Sequence, residues 1–166
     1  MEWLAQKQVN YHNLDTVLKN SSAEVVAGIT HTAKLFDMIA SKHLEAYDLS
    51  LSQFEVLCEV FFSAKRINLS DISKVLRVSK PTISGLVGRL KKKNFIVLVD
   101  SEEDSRVSYM QLTNSGEEVV KQTILHYADF ANQLFPDVTA QEKEIVVKVI
   151  SGLYKRLLES SMMEEN

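Results

Sequence analysis

The sequence predicts a mainly α-helical fold with a small β-hairpin, and three observations carry that prediction. Two short helical patterns, one opening at Asn68-Leu69-Ser70-Asp71-Ile72 and one running from Lys80 to Arg89-Leu90-Lys91-Lys92-Lys93, are separated by a tight turn, and the second holds most of the positive charge. Two β-patterned runs follow, Phe95-Ile96-Val97-Leu98-Val99 and Val107-Ser108-Tyr109-Met110-Gln111-Leu112, with a polar, charged tip between them. Long amphipathic helical patterns stand before and after this block. A helix-turn-helix followed by a hairpin is a winged helix, flanked here by N- and C-terminal helices suited to dimerisation.

Residues 1–20 are weakly patterned and fit an arm or a short helix. Ser21 with Glu24 has the capping-box spacing, and apolar side chains then recur at Val25, Ile29, Ala33, Phe36, Ile39 or Ala40, His43 and Tyr47, the pattern of one long amphipathic helix. That stripe is longer than a small winged-helix body needs, so part of it should pack against another chain. Ser50 and Gln53 repeat the capping signal, and Phe54, Leu57, Cys58, Phe61 and Phe62 form the expected buried face of the next helix.

Asn68 can cap the following helix with Asp71 at the reciprocal position, and Ile67 and Ile72 have the spacing of a hydrophobic staple. Ile72, Val75 and Leu76 should then face inward. The turn is Arg77-Val78-Ser79, in which Val78 pins the turn to the core, Ser79 caps the second helix and Pro81 sits in its first turn, where a missing N–H costs nothing. Ile83, Leu86, Val87 and Leu90 make the inner stripe of that helix. Asn94 is the expected left-handed residue at its end.

After the hairpin, Thr113 caps a broad-faced helix that runs to the break at Pro136. Thr139 with Glu142 opens a last helix carrying Ile145, Val146, Val149, Ile150, Leu153, Tyr154 and Leu157, and residues 160–166 should fray. The organisation is therefore an arm and dimerisation helix over 1–48, a winged helix-turn-helix over 49–113 and C-terminal dimerisation helices over 114–166, together one compact domain. Neither flank can bury its apolar face alone, so the first and last helices should pack together and against a second copy.

The formal charge of −3 conceals a strong segregation. From Lys65 to Lys93 nine cations face a single acid, Asp71, a local charge of +8, and the remainder carries −11. A local basic face attracts phosphate while an acidic remainder keeps the protein dissolved. No apolar run approaches the roughly 20 residues that cross a bilayer, and the first ten residues lack the basic start and apolar middle of a signal peptide, so the expectation is a cytoplasmic protein without a membrane partner. One cysteine, Cys58, excludes an intramolecular disulfide framework and the cysteine-rich zinc patterns.

Within the basic segment, Ser79, Lys80, Pro81, Thr82, Ser84 and Gly85 lie at the start and on the outer face of the second helix. There, hydroxyls and methyls can meet base edges and helix N–H groups can meet phosphate. Ser79 serves as a cap in either case. Arg89, Lys91, Lys92 and Lys93 are expected to hold phosphate rather than read bases. Arg106, on the hairpin, is a candidate for phosphate or the minor groove and equally for a structural pair with Asp104.

Cys58 beside Leu57 and Phe61 reads as a buried, unactivated thiol. His12, His31, His43 and His126 form no close cluster, and His31 and His43 stand about 18 Å apart along one helix, so no metal and no cofactor are expected. A phosphate-binding glycine loop and any nucleophile-base arrangement are absent, which argues against an enzyme.

The ordered blocks Leu49-Ser50-Leu51-Ser52-Gln53-Phe54, Leu69-Ser70-Asp71-Ile72-Ser73, Val78-Ser79-Lys80-Pro81-Thr82-Ile83-Ser84, Leu90-Lys91-Lys92-Lys93, Asp104-Ser105-Arg106 and Leu112-Thr113-Asn114-Ser115-Gly116 resemble the MarR-type (multiple antibiotic resistance regulator) transcription factors. The resemblance implies a homodimer that binds double-stranded DNA at a pseudo-palindromic operator, a recognition helix in the major groove and a wing reaching the minor groove. It also implies repression relieved by a small organic effector, with Phe36, Ile39, His43, Tyr47 and Phe54 as candidate pocket residues and core packing as the competing role.

Several positions depart from the family pattern. Gly85 stands where arginine is frequent, Gly88 where an acid is common, Asn94 where glycine is usual and Arg77 where small residues are frequent. For Gly85, close approach of the backbone to DNA and mere tolerance both stay open. The wing tip, Asp100-Ser101-Glu102-Glu103-Asp104-Ser105-Arg106, carries four acids and one arginine where the family tends to carry cations. Acids repel phosphate, so any minor-groove contact rests on Arg106. The competing function is a winged-helix dimer of weakened DNA affinity that acts through protein partners, as an anti-repressor or co-regulator.

Overall fold

The computed structural model of the chain describes residues 21–163 apart from residue 105, so the expected arm over 1–20 and the last three residues lie outside the described residues. Two compact units are present, one ending at Ile124 and the other beginning at Leu125. The first contains α1 (Ser22–Glu45), α2 (Leu51–Phe62), β1 (Ile67–Asn68), α3 (Leu69–Leu76), α4 (Lys80–Lys92), β2 (Ile96–Asp100) and β3 (Ser108–Leu112). The helix α5 (Asn114–Gln133) begins in the first unit and ends in the second, which α6 (Ala140–Met163) completes.

The helix starts follow the local chemistry. Gln53 N–H donates to Ser50 Oγ at 3.3 Å and the Ser50 N–H to Gln53 Oε1 at 3.0 Å. The same reciprocal box joins Asn68 to Asp71 and Thr139 to Glu142. Thr113 Oγ1 accepts the Gly116 N–H at 3.0 Å and starts α5. Each such cap satisfies a helix N–H that would otherwise lack a partner.

The helix ends share one device without using glycine. Asp48, Arg77 and Asn94 adopt left-handed backbone, with φ of 52°, 54° and 58°, just after α1, α3 and α4. In each case the next N–H reaches back six residues inclusively: Leu49 to the Leu44 carbonyl (3.1 Å), Val78 to Ser73 (3.2 Å) and Phe95 to Leu90 (3.0 Å). This closure satisfies terminal carbonyls and turns the chain sharply. Asn94 was expected there; Asp48 and Arg77 were not, since only their tertiary surroundings demand so tight a reversal.

The core gathers on the inner face of α4. Ile83, Leu86, Val87 and Leu90 are buried against Leu57, Ile72, Ile96 and Met110, and Val78 packs on the same cluster from the turn, all as expected. Phe62 corrects the reading of α2: it is 68% exposed, because it lies about 140° round the helix from Leu57. Val56 and Gln53 take the inward positions instead. Val75 is likewise exposed, the packing face of α3 being Leu69, Ile72 and Leu76. On α1, Ala40 and Leu44 are buried, whereas Val25 and Ala33 of the expected stripe are exposed. Leu44 escaped the sequence reading.

The hairpin supplies two strands of a three-stranded antiparallel sheet ordered β1-β3-β2, with β3 in the centre. β2 and β3 pair from Ile96 opposite Leu112 to Asp100 opposite Ser108, and β1 adds Ile67 opposite Met110. The sequence reading missed β1, because two residues show no period and their partner lies some 40 residues on. In α6 no described side chain is buried, and Ile145, Val146, Val149, Ile150, Tyr154 and Leu157 are about half exposed or more. Residues 160–163, expected to fray, continue that helix.

Two glycines differ sharply in what surrounds them. A Cβ on Gly116 would lie 1.9 Å from the Phe95 carbonyl oxygen, whereas a Cβ on Gly88 would meet nothing within 4 Å. Gly116→Ala should therefore destabilise by at least about 1–3 kcal/mol through forced backbone movement. Gly88→Ala should stabilise α4 by about 1 kcal/mol. Urea unfolding of the two variants should move the midpoint in opposite directions.

Candidate nucleic-acid interface

The outer face of α4 begins at its cap. Ser79 Oγ accepts the Thr82 N–H at 3.4 Å and shares a hydrogen bond with Thr82 Oγ1 at 2.8 Å, so Ser79 is a cap and the Thr82 hydroxyl is partly engaged with it. Lys80, Pro81, Thr82, Ser84, Gly85 and Arg89 are exposed on the side opposite the buried stripe. No acid occupies the first turn of α4, and Arg89, Lys91 and Lys92 occupy its last. The helix N-terminus with its partial positive charge thus stays open to an anion, while the cations continue down the same helix.

A groove of about 460 Å³ separates this helix from the wing. Lys80, Pro81 and Ser84 line one wall, Arg106, Val107 and Ser108 another, and Asn68, Leu69 and Ser70 from the start of α3 the floor. Four of the sequence-selected residues, Lys80, Pro81, Ser84 and Arg106, therefore meet around one cleft. Ser70 joins them unannounced, since only the packing of α3 against α4 brings it there. Gly85 has room for a side chain: the nearest atom to a Cβ there would be Arg89 Nη1 at 3.8 Å, so close packing within the chain does not require this glycine.

Arg106 is held by Asp104. Its Nε stands 3.0 Å from Oδ1, its Nη2 3.2 Å from Oδ2, and its backbone N–H donates to Oδ1 at 3.0 Å. The Arg106 side chain remains 89% exposed while so paired. The side-chain hydrogen bond from Arg106, then its backbone hydrogen bond, holds the Asp104 carboxyl below the usual carboxylate range. The fork is therefore present at neutral pH and is lost only as pH falls through that lowered value. Elsewhere on the wing, Ser108 Oγ donates to Asp100 Oδ1 at 2.8 Å, and Glu102 and Glu103 are exposed.

Lys93 differs from its neighbours in having a partner within the chain. Its ammonium turns away from Lys91 and Lys92 to sit 2.9 Å from Asp48 Oδ2 and to donate to the Asp48 carbonyl. The candidate effector residues divide as well. Phe36, Ile39 and His43 are half-buried along α1, Tyr47 packs against the core, and Phe54 is 7% exposed within it. Among the described residues no group of three or more His, Cys, Asp or Glu side chains could hold a metal ion, and no helix is long and apolar enough to cross a membrane.

Burial, reinforced by the charges of Glu59 and Glu55, pushes the Cys58 thiol up to about 11. Glu55 is itself raised, first by burial and then by Asp37 and Glu59. A thiol in this setting stays protonated at neutral pH and is a poor nucleophile. Alkylation of the folded protein by iodoacetamide at pH 8 should run at least about a hundredfold slower than in the urea-unfolded chain. Equal rates would contradict this assignment.

Comparison with known proteins agrees with this geometry. Residues 47–107 match the model of the MarR family. The HTH-type transcriptional repressor YetL of Bacillus subtilis (strain 168) is 25% identical over 149 residues, covering 89% of this chain and 86% of that protein. The crystal structure of the MepR–DNA complex of Staphylococcus aureus superposes with a TM-score of 0.68 at 22% identity, covering 82% of this chain and 98% of that one. AbsC, a MarR family transcriptional regulator from Streptomyces coelicolor, superposes with a TM-score of 0.71 at 22% identity, covering 84% and 97%. Staphylococcus aureus MarR in complex with salicylate and kanamycin does so with 0.77 at 18% identity, covering 83% and 93%. The stretch that holds the winged helix-turn-helix is thus similar to the MarR family, and most of the chain is similar to an HTH-type transcriptional repressor.

Proposed function

We propose that the chain is a homodimeric, cytoplasmic repressor that binds a pseudo-palindromic DNA operator and releases it when a small organic effector binds. The observation that carries this reading is the exposed, acid-free outer face of α4, which shares a groove with Arg106 of the wing. Lys80, Pro81, Thr82, Ser84 and Gly85 would enter the major groove, Arg89, Lys91 and Lys92 would hold phosphate, and Arg106 would reach the minor groove. The DNA-bound MepR structure and the repressor name of YetL favour this assignment.

Dimerisation is supported by α1 and α6, whose apolar side chains stay exposed in the single chain. A second copy covering them would set two recognition helices on successive major grooves, about 34 Å apart. In this reading 49–113 contacts DNA, and 1–48 and 114–166 join the copies. Phe36, Ile39, His43 and Tyr47, with Phe54 in the adjoining core, are the effector candidates, a role the salicylate-bound relative favours in kind.

A second reading has its own observation. Asp104 engages the one arginine of the wing tip, and Glu102 and Glu103 stand exposed beside it, so the wing adds little attraction for phosphate. A dimer of weakened DNA affinity acting through protein partners would follow.

Fluorescence anisotropy against the promoters of its own and adjacent genes, beside a scrambled duplex and across a salt series, separates the two. The repressor reading expects specific binding at least about a thousandfold tighter than the scramble, with a steep salt slope. Equal weak binding to both duplexes would move the function to protein partners. Arg89→Ala should weaken binding to all sequences about equally and reduce the salt slope by about one; loss of preference at a single base pair would count against a phosphate role.

A further inference from the structure

We infer that Lys93 and Asp48 form a tether that sets the angle of α4, making them positioning residues for DNA reading rather than contacts to DNA. The inference rests on the assignment of α4 as the reading helix. Lys93 directly follows Lys91 and Lys92, yet its side chain is only 24% exposed and is committed to Asp48, a residue 45 positions earlier in the turn after α1. Asp48 is itself held firmly, in left-handed backbone, with its N–H on the Glu45 carbonyl at 3.0 Å and the Leu49 N–H on Leu44. The backbone of the anchor is therefore fixed in the turn just after α1, while its carboxylate stays 86% exposed.

The same end of α4 is gripped from the opposite direction in sequence. The Asn94 carbonyl accepts Thr113 Oγ1 at 2.6 Å and Ser115 Oγ at 2.7 Å, and the Phe95 carbonyl accepts the Thr113 N–H at 3.1 Å. The end of α4 is thus joined to the turn after α1 by an ion pair and to the start of α5 by hydroxyls. Burial of the stripe Ile83, Leu86, Val87 and Leu90 fixes which face of α4 points inward, but apolar attraction is non-directional and permits small rolling and sliding. Directional, charge-assisted bonds at one end remove that freedom. An exposed ion pair contributes little to stability, so its consequence is geometric.

Simple electrostatics and the tether predict opposite results for one variant. Asp48→Asn makes the protein less negative, which alone should tighten binding to every duplex, and asparagine tolerates the left-handed backbone. The tether predicts that Asp48→Asn and Lys93→Met each lower the ratio of operator to scramble affinity by about three- to tenfold. It further predicts that the double variant is no worse than either single, and that the salt slope of Asp48→Asn is unchanged. Lys93→Arg should keep the ratio, and melting temperatures should move by no more than about 4 °C.

Tighter binding of Asp48→Asn to both duplexes, or a salt slope lowered by about one in Lys93→Met with Asp48→Asn unaffected, would make Lys93 a phosphate contact and overturn the tether. A wild-type protein that discriminates operator from scramble while both variants discriminate equally well overturns the tether alone. A wild-type protein that holds both duplexes equally weakly overturns the reading of α4 as well.

Discussion

Burial of the one-sided stripe of α4 is the constraint on which the rest of the structure depends. Ile83, Leu86, Val87 and Leu90 are almost fully removed from solvent, each contributing about 1.5–3 kcal/mol of transfer free energy, and they draw α2, α3 and the base of the sheet onto one helix. Because that stripe occupies half of the helix, the other half is left outside. Its residues are small, hydroxylated or cationic, so the packing that stabilises the unit also presents its chemistry. The helix that holds the unit together is thereby also the one that carries the candidate interface.

The junction behind α4 depends on close approach. Asn94 turns the chain in left-handed backbone, Thr113 and Ser115 bond its carbonyl, and Gly116 lies so near the Phe95 carbonyl that no side chain fits. Three helices end in this way on Asp48, Arg77 and Asn94, none of them glycine, although a left-handed residue with a Cβ carries a steric cost. Asp and Asn tolerate the conformation through their short polar side chains. Arg77 lacks that compensation, and its position is maintained by the closure of Val78 on Ser73, whose hydroxyl also donates to the Val78 carbonyl at 2.7 Å.

Charge is divided between surfaces rather than balanced residue by residue. The basic segment from Lys65 to Lys93 contains most of the cations that could face phosphate, yet Lys93 is spent on Asp48 and the wing tip is acidic. Attraction to a polyanion therefore concentrates on α4, and the wing supplies one arginine whose guanidinium is already forked on Asp104. Cys58 and the acids around it lie apart from this chemistry; burial and like charge keep the thiol protonated.

Most of the fold was legible in local pattern, because caps, turns and apolar periodicity are short-range properties. Ser50 with Gln53, Asn68 with Asp71, the stripe of α4 and the left-handed Asn94 all follow from residues within one or two turns of each other. The composition of the outer face of α4 followed in the same way, since the inner positions were identified by period and the rest had to be outside. Other features depend on partners distant in the chain. The strand β1 exists only because Ile67 meets Met110, Phe62 is exposed because α2 presents Val56 in its place, and Lys93 leaves the cationic row because Asp48 lies within reach. Arg106 joins Lys80 and Ser84 for the same reason. Sequence alone determined the buried stripe of α4 and the caps that open α2, α3 and α4, because these depend on neighbours within a turn or two; tertiary structure decided the inward faces of α1, α2 and α3 and which exposed charges remain open to a partner, because packing and pairing act through space and leave no periodic trace along the chain.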